Sequence, residues 1–127
     1  MSIPLEAVTT RLLSMAVEAA TRRHQAISAN VANVHAAGYT PLEVSFEAQL
    51  TDARQALAER GRVDPALLAS VRPELQSRLD AEGRPLPVQL DLELAEMARN
   101  AVHHQALAQG LARHLGLTAL AVSEGRR

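Results

Sequence analysis

A chain of 127 residues is long enough for one domain, but it carries one Phe, one Tyr, no Trp and 24 alanines, which excludes a conventional aromatic core. The formal charge is −1 overall and +1, −2 and 0 over residues 1–40, 41–87 and 88–127, so no block has the positive excess that tracks a phosphate backbone, and no nucleic-acid partner is expected. Cysteine is absent, which excludes disulfides and thiolate metal sites.

Alanine buries little area. At about 25 cal/mol per Å² of apolar surface, a core of Ala, Leu and Val must be extensive, or shared with neighbouring chains, to offset the entropy of ordering the backbone. The first residues do not read as a cleaved secretory signal, because Glu6, Arg11 and Glu18 interrupt the apolar pattern. No run approaches the ~18 apolar residues of a spanning helix, so the protein is not expected to be membrane-inserted.

The first segment, residues 1–40, reads as a long helix from Pro4 to about Ala37. Leu13, Val17, Ala20, His24, Ile27, Val31 and Val34 alternate at spacings of four and three, beside a second line of Leu5, Val8, Leu12, Met15 and Ala19. Pro4 suits a first-turn position, Gly38 a left-handed residue after the helix, and Pro41 prevents resumption.

Residues 41–87 hold five of the six prolines and most of the charge. Phe46 to Arg60 suits a short helix, Asp64 to Leu79 one or two turns broken at Pro73, and Arg84–Pro87 an extended lead into the last helix. The segment reads as an outward-facing or flexible excursion rather than a second domain.

Residues 88–127 repeat the design of the first segment. Leu90, Leu94, Met97, Ala101, His104, Ala108, Leu111 and Leu115 again alternate at four and three over a helix from 91 to about 121, with Asp91 placed to cap it and Glu93 and Glu96 to meet its dipole. Gly110 and Gly116, each costing roughly 1 kcal/mol relative to Ala, point to close backbone approach or a loosened last stretch. The expected fold is therefore all-α: long N- and C-terminal helices paired as a coiled-coil-like hairpin around an irregular, partly helical middle. Further lines of small residues, Ala16, Ala19, Ala26 and Ala32 on one helix and Ala95, Ala98, Val102 and Ala112 on the other, leave faces for subunit contacts.

Two stretches carry a resemblance. The run Arg23–Asn33, RHQAISANVAN, followed by Gly38-Tyr39, resembles the N-terminal signature of flagellar rod and hook proteins, in which Ala-Asn-x-x-Asn runs into a Thr-Pro-Gly-Tyr turn. The stretch Val88–Leu107, VQLDLELAEMARNAVHHQAL, is similar to their C-terminal helix, with its Val-x-x-Asp-x-Glu-Met opening and Asn-x-x-x-Tyr-Gln centre. The short length and the Tyr-Gln-Ala-Leu-like segment ending in a leucine-rich tail resemble most the proximal rod B-type (FlgB) family, with the C type, similar in length, as the nearest alternative. Here His35-Ala36-Ala37 precedes Gly38-Tyr39 where the family has Thr-Pro, and His104 replaces the family's tyrosine.

The resemblance implies a structural subunit of the flagellar basal body rod, exported by the flagellar type III apparatus without signal cleavage and assembled in the periplasm with copies of itself and other rod proteins. The assembly interface it implies comprises, on the first helix and turn, Leu13, Val17, Ile27, Asn30, Val31, Asn33, Val34, Gly38 and Tyr39. On the last helix it comprises Leu94, Met97, Asn100, Ala101, His104, Gln105, Ala108, Leu111 and Leu115. Asn30 and Asn33, at i and i+3, are expected to fix register against a neighbouring helix.

Adjacent His103 and His104 point about 100° apart and cannot chelate together, and no His-Glu-x-x-His is present, so no metal or other cofactor is expected. Without Gly-x-Ser-x-Gly, a cysteine nucleophile or a phosphate loop, neither an enzyme nor a small-molecule substrate is expected. The alternative reading is a soluble helical adaptor or export chaperone binding a partner helix through the apolar stripe. A peripheral membrane helix is disfavoured by the scarcity of basic residues beside that stripe.

Overall fold

The computed structural model describes residues 4–62 and 64–126. In chain order it contains α1 (Leu5–Ala32), β1 (Leu42–Ser45), α2 (Glu47–Arg60), α3 (Pro65–Ser70), β2 (Glu74–Ser77) and α4 (Leu90–Glu124). The two terminal helices are long and pack together, and the molecule is mostly helical.

The expectation of an all-α chain misses a small antiparallel sheet, in which Leu42 pairs with Ser77 and Val44 with Leu75. Each strand is only four residues long. An apolar–polar alternation of that length is too brief to stand out from coil.

The middle segment is also not an outward excursion. Val44, Phe46, Leu68 and Val71 form the buried core together with Met15 and Ala19 of α1, and Val8, Leu12, Ala16 and Leu50 pack against them. The second line of α1 therefore has its partner inside the chain. Local chemistry builds the segment: Asp64 accepts a hydrogen bond from the Ala66 N–H at 2.9 Å with Pro65 at the start of α3, and Gly61 ends α2 at φ +68°.

α1 stops at Ala32, short of the expected Ala37. Asn33 closes it, its side chain donating to the Ala29 carbonyl at 2.8 Å, and a turn from Ala36 to Tyr39 follows with Gly38 at φ +74°. At the other end Asp91 lies inside the first turn of α4, after Gln89, and caps nothing. α4 runs unbroken through Gly110 and Gly116. A Cβ added at either glycine would meet nothing within 4 Å, so neither marks a close approach inside the chain.

α4 lies antiparallel on α1: Glu93 reaches Asn30, Asn100 reaches Ala20, and His114 reaches Thr10. Its inward positions are Glu93, Met97, Asn100, His104, Leu107, Leu111, His114 and Thr118, alternating at four and three residues. The expected stripe is split by this orientation. Met97, His104, Ala108 and Leu111 are half-buried, whereas Leu90, Leu94, Ala101 and Leu115 are exposed.

Candidate assembly interface

Asn30 is the most enclosed polar side chain, with no exposed surface. Its Nδ2 donates to the Leu42 carbonyl at 3.0 Å and to Glu93 Oε2 at 3.2 Å. Its Oδ1 accepts from the Leu42 N–H at 2.8 Å and from the Tyr39 hydroxyl at 2.8 Å. Both donors and both acceptor positions of the carboxamide are thus used.

Glu93 is 3% exposed, and its second oxygen accepts from Arg78 Nη1. Arg78 Nη2 turns back to the Leu42 carbonyl at 3.4 Å. One amide and one ion pair therefore join α1, the Gly38-Tyr39 turn, β1, the end of β2 and the start of α4. Burying such groups is costly unless every one is paired, and here the pairing is complete.

The α1–α4 seam continues in the same polar style. Asn100 is 5% exposed and donates to the Ala20 carbonyl at 2.8 Å, while its Oδ1 has no partner among the described residues. Thr21 spends its hydroxyl proton on the Val17 carbonyl, which makes His104 Nε2, 3.3 Å away, the donor in their contact. Thr10 likewise donates to the Glu6 carbonyl, so His114 Nε2 donates to Thr10 Oγ1 at 2.9 Å and toward the Glu6 carbonyl at 3.3 Å.

The expected interface residues accordingly fall into two sets. Ile27, Asn30 and Asn100 are buried inside the chain, and Leu13, Val17, Val31, Asn33, Val34, Tyr39, Met97, His104, Ala108 and Leu111 are half-buried. Gly38, Leu94, Ala101, Gln105 and Leu115 face solvent. Asn30 has no hydrogen-bonding capacity left for a neighbour, and Asn33 bonds within its own helix.

One residue along from the inward seam, α4 carries a second line with the same spacing: Leu94, Ala98, Ala101, Gln105, Ala108, Ala112, Leu115, Ala119 and Val122. All but Ala108 are exposed. Leu92, Val102, Leu117 and Leu120 widen this surface, with exposures between 55% and 70%. Solvent thus meets most of the leucines of α4, while Glu93, Asn100, His104 and His114 line the helix pair.

Sequence reading missed Arg78 and took Glu93 for a dipole partner alone. Glu93 does lie in the first turn of α4, but its carboxylate is committed to Asn30 and Arg78. A search for the four-and-three spacing that admitted polar residues would have found it. Among the described residues no group of three His, Asp or Glu side chains is placed to hold a metal ion, and no helix is long and apolar enough to cross a membrane. No family model and no curated protein matches the chain.

Replacing Asn30 by Ala strands the Leu42 peptide groups and removes one partner of buried Glu93, so it is expected to cost about 2–4 kcal/mol in denaturant unfolding. Asn33→Ala, which removes one bond at a helix end, should cost within about 1 kcal/mol. Equal costs for the two would contradict the assignment.

Tyr39 supplies a second check, because it is the sole tyrosine. Burial raises its pKa, the Glu93 carboxylate raises it further, and Arg78 opposes both. The fold favours the neutral phenol, so its stabilisation is full below the free-tyrosine value of about 10 and is lost as pH rises through the higher folded value. Ultraviolet titration of the folded chain should show ionisation above free tyrosine; ionisation at the free value would contradict it.

Proposed function

We propose that the chain is a structural subunit of the bacterial flagellar rod, of the proximal B type, whose terminal helices contribute to the wall of a helical tube. The observation that carries this reading is the outward line of α4. Between residues 100 and 123 that helix has a single charged side chain, Arg113, yet most of its outer surface lies in water in the isolated chain. A helix with two adjoining seams, one filled by α1 and one open, suits a position between two helical neighbours.

Rod and hook signatures at both ends of the sequence give that geometry its biological setting. The partners are copies of this chain and other rod proteins, reached after passage through the type III export apparatus into the periplasm. Transmission of torque requires a stiff, densely packed wall and no substrate or cofactor.

A second reading has its own support. The pairing of α1 with α4 inside one chain is what a soluble adaptor or export chaperone needs, with the open seam receiving one partner helix. The two readings differ in stoichiometry: an adaptor forms a closed complex, and a rod subunit forms an extended one.

In the bacterium that encodes the chain, Val102→Glu with Leu117→Glu should abolish swimming and rod completion while the protein still accumulates, since both sites are exposed in the folded chain. Normal swimming in that strain, or in one lacking the gene, would overturn the rod reading.

A further inference from the structure

The two edges of the small sheet are treated differently by the fold. On the β1 edge, the Leu42 N–H and C=O are both taken by the Asn30 carboxamide, which stands in for a neighbouring strand, and α1 packs along β1. On the β2 side, the Arg78 N–H donates to the Pro41 carbonyl at 2.7 Å, which makes Pro41 and Arg78 a hydrogen-bonded pair. Alternation along an antiparallel ladder then gives hydrogen-bonded pairs at Glu43–Gln76 and Ser45–Glu74. The peptide groups of Leu75 and Ser77 consequently point away from β1.

Among the described residues neither Leu75 nor Ser77 has a backbone partner outside the sheet, and all of β2 is exposed. Beside this edge runs an open groove of about 1250 Å³ between α1 and β2, with Met15, Val71 and Leu75 contributing its apolar lining.

We propose that β2 is a self-association edge: two copies join by antiparallel β2–β2 pairing about a two-fold axis at Gln76, making one four-stranded sheet. A second copy offers its own β2, because on its β1 edge Asn30 engages Leu42 and α1 packs along the strand, so the contact is isologous and stops at two. The register is fixed by the outward groups. Leu75 of each copy lies opposite Ser77 of the other, so each pair exchanges both backbone hydrogen bonds.

Shifting the partner one way sets Ser77 against Pro73, which has no N–H to give. Shifting it the other way sets Leu75 against Leu79, which lies beyond the end of β2. The matched register also places Glu74, which has no ion-pair partner among the described residues, across from the Arg78 of the second copy, whose side chain remains 27% exposed. This contact does not rest on the rod reading, since a closed pair differs from the head-to-tail contacts of a tube.

The test combines sedimentation equilibrium with amide hydrogen exchange on the full chain up to roughly 1 mM. A dimer should appear as concentration rises, with exchange at the Leu75 and Ser77 amides slowed about tenfold. Ser77→Pro deletes an outward N–H without removing a β1 bond and should restore the monomer. Glu74→Arg, an exposed change that leaves folding intact, should weaken dimerisation about tenfold. A monomer throughout, or association that leaves both amides exchanging at the monomer rate, overturns the proposal; the latter outcome would assign self-association to the open line of α4 instead.

Discussion

The carboxamide of Asn30 ties together parts of the chain that sequence keeps far apart. Its oxygen and nitrogen satisfy both peptide groups of Leu42, and its remaining bonds reach Tyr39 and Glu93. Because the side chain has no exposed surface, each of those bonds must be made for the amide to sit there. The start of β1, the turn at Gly38 and the first turn of α4 are positioned by that requirement. Arg78 extends the constraint to the end of β2 through its bond to Glu93.

Once Glu93 is pinned, the rotation of α4 about its axis is set, and the rest of its seam follows at four-and-three spacing. Asn100, His104 and His114 meet the backbone or hydroxyl groups of α1. Polar contacts of this kind specify register more strongly than they stabilise, contributing about 0.5–1.5 kcal/mol each for neutral groups. The hydrophobic stabilisation of the chain lies instead around Met15, Phe46, Leu68 and Val71, on the other side of α1. α4 is therefore aligned by specific bonds and leaves most of its leucines exposed in the single chain, which is the feature that the proposed rod subunit uses.

Much of this was legible in the residues. The two terminal helices were announced by sustained periodicity and α2 by FEAQLTDARQALAER, whereas Asn30, expected to set register against a neighbouring helix, makes its bonds inside its own chain. What periodicity could not show was the partner of each face. A core drawn from single residues in β1, α2's approach and α3 has no period, so Phe46 and Leu68 gave no pattern to read. The two seams of α4 differ by one residue, and a hydrophobicity count averaged them into a stripe that belongs wholly to neither. Glu93 went unread because a carboxylate in a first helical turn has an ordinary explanation at the surface.

The central claim is that the outer line of α4 has no partner within one chain. Unfolding of the monomeric Leu94→Ala, Leu117→Ala double variant in denaturant tests it most directly, since both leucines are exposed and Ala is a good helix former. The account predicts a change in stability within about 1 kcal/mol. A loss of about 4 kcal/mol or more, the cost of emptying two buried leucine sites, would contradict it.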